Sequence, residues 1–126
     1  KLSREELEKY IDDLAKNWLA HDGLWFQAVE GHYGMDTAIE LDKEAWQRFT
    51  VVEANRTKKR FGIPEYGGLE GLKKALQYRL YANINVQEIV DVDEHSFIFR
   101  MNECRVQTAR KRRGLPDFPC KKVGIV

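Results

Sequence analysis

The sequence predicts an α+β fold, in which an N-terminal group of helices packs on a small antiparallel sheet. Apolar residues recur at helical spacing through roughly the first two-thirds of the chain. From residue 85 onward, β-branched and aromatic residues alternate with polar ones, which is typical of half-buried strands. The chain of 126 residues is long enough for one domain with its own core, so we expect residues 1–126 to form a single domain.

The composition is that of a globular protein, with 43% apolar and 33% charged residues. No apolar run approaches the ~20 residues that a membrane span requires. The charged N-terminal segment lacks the apolar stretch of a secretory signal, and two cysteines do not indicate a disulfide scaffold. We therefore expect a cytoplasmic protein with reduced thiols and no membrane partner, and a homo-oligomer is compatible with this composition.

The first two helices are marked by capping and breaking residues. Ser3 and Glu6 have the spacing of a capping box, which predicts that the first helix begins here. Asp22 and Gly23 interrupt its apolar periodicity, so we expect the first helix to end there. A short second helix is then predicted to end near Gly34, where a positive φ is useful.

The third helix is predicted to begin at Asp36, a plausible N-cap, and to end at Gly62, just before Pro64. A turn follows it. The fourth helix is defined by leucines at helical spacing: Leu69, Leu72, Leu76 and Leu80.

The remainder of the chain predicts a β-hairpin, with strands over 86–92 and 97–101 joined by a polar turn at 93–95. A further helix is expected over 105–113, because Gly114 and the following Leu-Pro sequence forbid its continuation. The pattern of 121–126 predicts the beginning of another strand.

The two cysteines bracket a strongly cationic segment near the C-terminus. Residues 104 to 122 carry seven cationic side chains against one acid, Asp117, so their net charge is +6 and that of the rest of the chain is −5. Neighbouring guanidinium groups favour the thiolate form of a cysteine, and the thiolate is both the nucleophile and the metal ligand. This segment is therefore where we expect the chemistry, centred on Cys104 and Cys120.

Two blocks carry a resemblance to a known family: WLAHDGLWFQAVEGHYGMDTAIELDKEAWQRF and ECRVQTARKRRGLPDFPCKKVG. They resemble a family of uncharacterised bacterial and archaeal cytosolic proteins, loosely grouped with L-2-amino-thiazoline-4-carboxylic acid hydrolase-like proteins. The resemblance spans most of the chain. Similar proteins continue past the VGIV segment into a tail with further cysteines, so the resemblance implies that a C-terminal cysteine-containing tail is missing here.

Metal binding is the first chemistry to consider for Cys104 and Cys120. Zinc or an iron–sulfur cluster requires about four thiolate or imidazole ligands, normally from closely spaced pairs. Only two are present, and the fifteen residues between them match no standard ligand spacing. A zinc or iron–sulfur site would thus be incomplete in this chain, and the alternative is that both cysteines are small core residues.

Cysteine-dependent hydrolysis is the second chemistry, and it is the one that the resemblance implies. Cys104 would be the nucleophile, and Arg105 or Arg110 would hold a substrate carboxylate by bidentate hydrogen bonds. The available bases are histidines that form no recognisable motif with either cysteine: His21, His32 and His95.

Two further patterns have simpler interpretations. The basic run that closes the predicted helix at residue 113 contains no aromatic residue for base stacking, so we do not expect a nucleic-acid partner. Glu30 is expected to pair with a buried arginine such as Arg105. The N-terminal aromatic residues are expected to be core, with a partly open wall for a small polar ligand as the alternative: Trp18, Trp25, Phe26 and Trp46.

The function that we predict is a cytosolic small-molecule or metal-binding domain. Cys104 and Cys120 are its expected metal ligands, and Arg105, Arg110 and Glu30 its expected ligand-binding residues. The alternative is a hydrolase with Cys104 as its catalytic residue, acting on a small carboxylate-bearing substrate.

Overall fold

Two long antiparallel helices form the scaffold of the chain. The computed structural model describes residues 1–124. Helix α1 spans Arg4–Tyr33 and helix α2 spans Met35–Phe61, with only Gly34 between them at φ +86°. Glycine adopts a positive φ without the penalty that a Cβ atom brings, so a single residue reverses the chain here.

The predicted break at Asp22 and Gly23 is wrong, because α1 continues through both residues for 30 residues in all. An interior glycine costs a helix about 1 kcal/mol relative to alanine. Leu19 and Phe26, on either side of the glycine, are both buried, and their packing outweighs that local preference. The predicted start of the helix is confirmed, since the Ser3 and Glu6 side chains form the capping box.

Helix α2 ends at Gly62 in the left-handed conformation, as predicted. Helix α3 spans Gly68–Tyr78 and is followed by a short 3₁₀ helix, Leu80–Asn83. The rings of Phe61 and Tyr78 stack with centroids 4.0 Å apart, and this contact fastens the end of α3 to the end of α2. The predicted fourth helix is thus present, although it ends two residues before Leu80.

The predicted hairpin is confirmed. Strand β1 spans Val86–Asp93, strand β2 spans Ser96–Glu103, and the two pair antiparallel. In the turn, the Asp93 carboxylate accepts hydrogen bonds from the backbone of His95 at 2.8 Å and from the Ser96 hydroxyl at 3.0 Å.

Helix α4 spans Arg105–Arg112, as the sequence predicts to within one residue. The strand expected from Lys121 is wrong for the described part, since Cys120–Lys122 form a 3₁₀ helix, and residues 125–126 lie outside the described residues. Phe118 and Val123 pack against the end of the helical scaffold at which the chain reverses at Gly34. The buried core at this end consists of Phe26, Ala38, Ile39 and Val123.

These elements confirm the predicted α+β class, with four α-helices and a two-stranded antiparallel sheet in the described chain. Over residues 1–124, no helix combines the length and the apolar character needed to cross a membrane.

Replacing Gly23 by alanine is expected to raise the free energy of unfolding by roughly 0.5–1 kcal/mol. A Cβ atom at this position meets no atom within 4 Å. Urea denaturation followed by circular dichroism measures the change. Gly62→Ala is the matched control and is expected to lower stability, because Gly62 has φ +64°. A less stable Gly23→Ala protein would contradict an unbroken α1.

Candidate functional site

Arg110 holds three parts of the chain together from a buried position, with 4% of the residue exposed. Its Nη1 and Nη2 atoms donate to the two carboxylate oxygens of Glu30 at 3.0 and 3.1 Å. Its Nε atom donates to the Pro116 carbonyl at 2.7 Å. The guanidinium therefore links α1, α4 and the segment after α4 through charge-assisted hydrogen bonds in the bidentate geometry that arginine favours.

The prediction that Glu30 pairs with a buried arginine is confirmed, but the arginine is Arg110, and Arg105 as the expected example is wrong. Arg105 is exposed at the start of α4, where its backbone N–H donates to the Asn85 side chain at 2.8 Å. Five residues of an α-helix rotate a side chain by roughly 140°. Only one of the two arginines can therefore point at α1, and the packing of α4 selects Arg110.

Gln107 fastens the segment between the cysteines to α4. Its side-chain amide donates to the Phe118 carbonyl and accepts from the Phe118 backbone N–H, both at 2.8 Å. The Phe118 ring then contacts the Phe26 ring, with centroids 5.0 Å apart. The basic segment is thus built around structural contacts from Gln107 and Arg110.

The two cysteines are both free thiols in different surroundings. Cys104 is half-buried immediately before α4 and lies near Tyr81, whose pKa it helps to raise after burial and the nearby carboxylates. Cys120 is exposed, and its carbonyl accepts the N–H of Gly124 at 2.7 Å. Between residues 1 and 124, no three His, Cys, Asp or Glu side chains are grouped so that they could hold a metal ion.

An aromatic cluster fills the middle of the helical scaffold. Trp18 stacks on Phe49 with centroids 5.5 Å apart, and Trp46 stacks on Tyr81 at the same distance. Trp18 and Trp46 meet edge to face at 6.1 Å. Because these rings come from α1, α2 and the 3₁₀ helix that follows α3, they bring three elements together.

Two carboxylates lie beside this cluster, and sequence analysis missed one of them. The pKa of Asp42 is raised to about 6, chiefly by burial and also by the negative charge of Asp22, while a hydrogen bond from Trp46 acts in the opposite direction. Burial likewise raises the pKa of Asp22, against a small opposing effect of His21. Both carboxyl groups thus ionise less readily than in water, because burial removes the solvent that stabilises their charged form.

Arg79 is a cation that acts on Tyr81, and its guanidinium also faces another carboxylate. The Arg79 guanidinium lies 5.0 Å from the Tyr81 ring centroid, and its Nε atom lies 3.9 Å from a carboxylate oxygen of Glu53. The pKa of Tyr81 is raised by burial and then by Asp22, whereas Arg79 lowers it. Two carboxylates near Tyr81, those of Asp22 and Asp42, therefore oppose the ionisation of its hydroxyl. Arg79 favours that ionisation, and its guanidinium also faces the Glu53 carboxylate.

Trp18, His21, Asp22 and Trp25 line an open cleft of about 410 Å³ on one face of α1. Trp25 is 68% exposed, so the prediction that it belongs to the core is wrong, whereas Trp18 and Trp46 are packed as expected. The spacing of these four residues, two of them tryptophans, is the sequence signal that could have identified the cleft.

A larger hollow of about 620 Å³ lies at the end of α2, where its lining includes Arg56, Lys59 and Arg60. Cations in a last helical turn compensate the helix dipole, which is a sufficient explanation of their position. The cleft on α1, which has aromatic faces and a carboxylate, is therefore the better candidate site.

Comparison with known proteins identifies one family. The family model described as a family of unknown function, DUF6125, matches residues 1–126. No curated protein and no solved structure matches the chain.

Arg110→Ala is expected to lower the free energy of unfolding by roughly 3–5 kcal/mol, because it leaves the mostly buried Glu30 carboxylate without its partner. Chemical denaturation measures the loss. Arg113→Ala is the control on the same helix, since Arg113 is exposed, and we expect it to change stability by less than about 1 kcal/mol.

A second variant separates the ion pair from the packing of the side chain. Glu30→Leu combined with Arg110→Met is expected to be more stable than the Arg110→Ala protein, because no unpaired charge remains buried. Equal loss in Arg110→Ala and Arg113→Ala would show that the ion pair contributes little.

Proposed function

We propose that this chain, which belongs to the DUF6125 family, binds a small organic cation in the cleft formed by Trp18, His21, Asp22 and Trp25. The observation that carries the proposal is the Asp22 carboxylate in a cleft with two tryptophan rings, one of them the 68% exposed Trp25, while the desolvated Asp42 lies near enough for the two charges to interact. The proposal keeps the small-molecule binding predicted from the sequence. It moves the site from the cysteine and arginine segment to α1.

The carboxylates provide the electrostatic part of the argument. Each of Asp22 and Asp42 is partly desolvated, and the charge of Asp22 further raises the pKa of Asp42. A positive ligand would relieve both effects, because it supplies the opposite charge that the surroundings lack. Protonation of Asp42 below pH 6 would remove part of the attraction.

The aromatic lining favours an organic cation over a hard metal ion. The faces of tryptophan rings attract ammonium groups, and this attraction adds about 0.5–2 kcal/mol depending on exposure. Calcium and magnesium instead require six or more oxygen ligands, whereas the lining of this cleft offers one carboxylate, Asp22, among aromatic rings. Quaternary and alkylated ammonium groups are therefore the ligand class that fits.

A carboxylate-bearing substrate is a poorer fit to the segment predicted from the sequence. The three guanidinium nitrogens of Arg110, Nε, Nη1 and Nη2, each already donate to Glu30 or Pro116. An incoming carboxylate would have to displace Glu30, which would leave that side chain unpaired.

Calorimetric titration with choline and with its uncharged isostere 3,3-dimethylbutan-1-ol tests the proposal. At pH 7.5 we expect choline to bind at least about 10-fold more tightly, since a difference of 1.4 kcal/mol corresponds to a factor of ten. Choline affinity is expected to fall as the pH decreases through about 6, where Asp42 takes up a proton. Equal affinity for the two compounds would overturn the proposal.

Variants locate the site. Asp22→Asn and Trp25→Ala are each expected to weaken choline binding by about 10-fold or more, because each removes one attractive group. Asp13→Asn and Tyr66→Ala are matched controls at exposed positions away from the cleft, and we expect unchanged affinity. Unchanged binding in Asp22→Asn would place the cation elsewhere.

Cysteine chemistry is a second proposal, favoured by the position of the half-buried Cys104 near Tyr81. Exposure alone would make Cys120 react faster with iodoacetamide at pH 7, because Cys104 is half-buried. A catalytic Cys104 is therefore expected to be alkylated faster than Cys120, as measured by mass spectrometry of proteolytic peptides. Slower alkylation of Cys104 than of Cys120 would contradict a hydrolase with a Cys104 nucleophile. Absence of zinc and iron from anaerobically purified protein would contradict the metal site.

A further inference from the structure

The hollow at the end of α2 gathers three cations around one space. Arg56, Lys59 and Arg60 line it, and all three residues are exposed. The helix dipole favours cations at this end, and it acts most strongly on the last turn, which holds Lys59 and Arg60 but not Arg56. The dipole therefore draws cations to this end of the helix, but it does nothing to separate them from one another.

These three cations repel one another along one face of the helix. Arg56 precedes Lys59 by three residues and Arg60 by four, and side chains at those spacings are neighbours on a helix surface. Like charges placed in this way destabilise a helix. The arrangement is thus unfavourable in the unliganded chain, and a negative charge held between the three side chains would remove the repulsion.

The ion pairs of α2 do not include these three cations. Over residues 1–124, the ion pairs that α2 forms are the following: Glu44 with Arg48, Glu53 with Arg79, and Lys58 with Glu65. The last carbonyl of α2, that of Phe61, accepts a hydrogen bond from Lys74 at 2.8 Å. Other side chains therefore serve the acids and the helix end, and the hollow keeps its positive charge.

The size and the lining of the hollow suit a small phosphorylated ligand. Its volume is about 620 Å³, and ligand sites commonly have roughly 300–1,000 Å³. Arginine offers paired N–H donors that match phosphate oxygens, and lysine binds phosphate as a point charge. The lining also includes Thr57, which is 8% exposed, and the ring of Phe61, which stacks on Tyr78. A hydroxyl group and an aromatic ring thus accompany the cations.

We propose that this hollow binds the phosphate group of a small ligand through Arg56, Lys59 and Arg60. A phosphate monoester carries a charge of about −1.5 to −2 at neutral pH, so it offsets more of the positive charge than a carboxylate does. Among the described residues, the hollow and the cleft on α1 share no lining residue. The phosphate site is therefore independent of the proposed cation site, and either can fail without the other.

Calorimetric titration with pyrophosphate tests the site, and vesicles identify the source of the phosphate. At an ionic strength of about 0.15 M, where exposed charges more than about 8 Å apart are largely screened, we expect saturable binding of one pyrophosphate ion per chain. Cosedimentation with vesicles of phosphatidylcholine and phosphatidic acid is the second measurement. Binding of pyrophosphate indicates a soluble ligand, whereas binding to the vesicles alone indicates a lipid headgroup. Binding to neither overturns the proposal.

Two double variants separate a defined site from attraction by net charge. Arg56→Gln with Lys59→Gln is expected to weaken binding by at least about 10-fold, because charge-assisted hydrogen bonds are lost. Lys111→Gln with Arg112→Gln removes the same charge from another exposed basic surface, on α4, and we expect it to change affinity by less than about 2-fold. All four positions are exposed, so circular dichroism is expected to show unchanged folding. Equal weakening in the two double variants, or unchanged binding in the first, overturns the proposal.

Discussion

The ion pair between Glu30 and Arg110 connects the helical scaffold to everything that follows the hairpin. It joins residues 80 positions apart, and the same guanidinium holds the Pro116 carbonyl. Phe118 and Val123 can cover the reversed end of the scaffold only while this segment is held against α1. Because a guanidinium and a carboxylate lose their hydration on burial, the contact depends on its bidentate geometry. Arg110 is therefore a structural clasp within the cationic segment, and the cleft that we propose as the binding site lies elsewhere, on α1.

Near that cleft, the desolvated carboxylates of Asp22 and Asp42 reduce the stability of the fold at neutral pH. The ordinary pKa of an aspartate is 3.8 and that of Asp42 is about 6, so the folded chain binds its proton more tightly than the unfolded chain does. The favourable contribution of this group is present below the lower pKa and is lost as the pH rises from about 4 through 6. At neutral pH the carboxylates at Asp22 and Asp42 oppose folding. Binding sites commonly retain such unfavourable groups because a ligand relieves them.

Local signals in the sequence were sufficient for much of the fold. The capping box at Ser3, the helix end at Gly62 and the hairpin turn at Asp93 depend on nearby residues, and all three were predicted. The continuity of α1 through Gly23 depends on packing, and the sequence did not predict it. For the site, the sequence identified Glu30 and Arg110 but not their pairing, because the face that α4 presents is decided by tertiary contacts. Asp42 becomes notable only because folding places it near Asp22, which is twenty residues away on another helix.

The long separation between Glu30 and Arg110 also has a consequence during synthesis. Ribosomes add roughly 5–20 residues per second, so Arg110 is made about 4–16 s after Glu30. The contacts between α1 and α2 are closer in the chain and can form within that interval. Throughout that interval Glu30 has no arginine partner, so the helices that surround it must first pack without the ion pair.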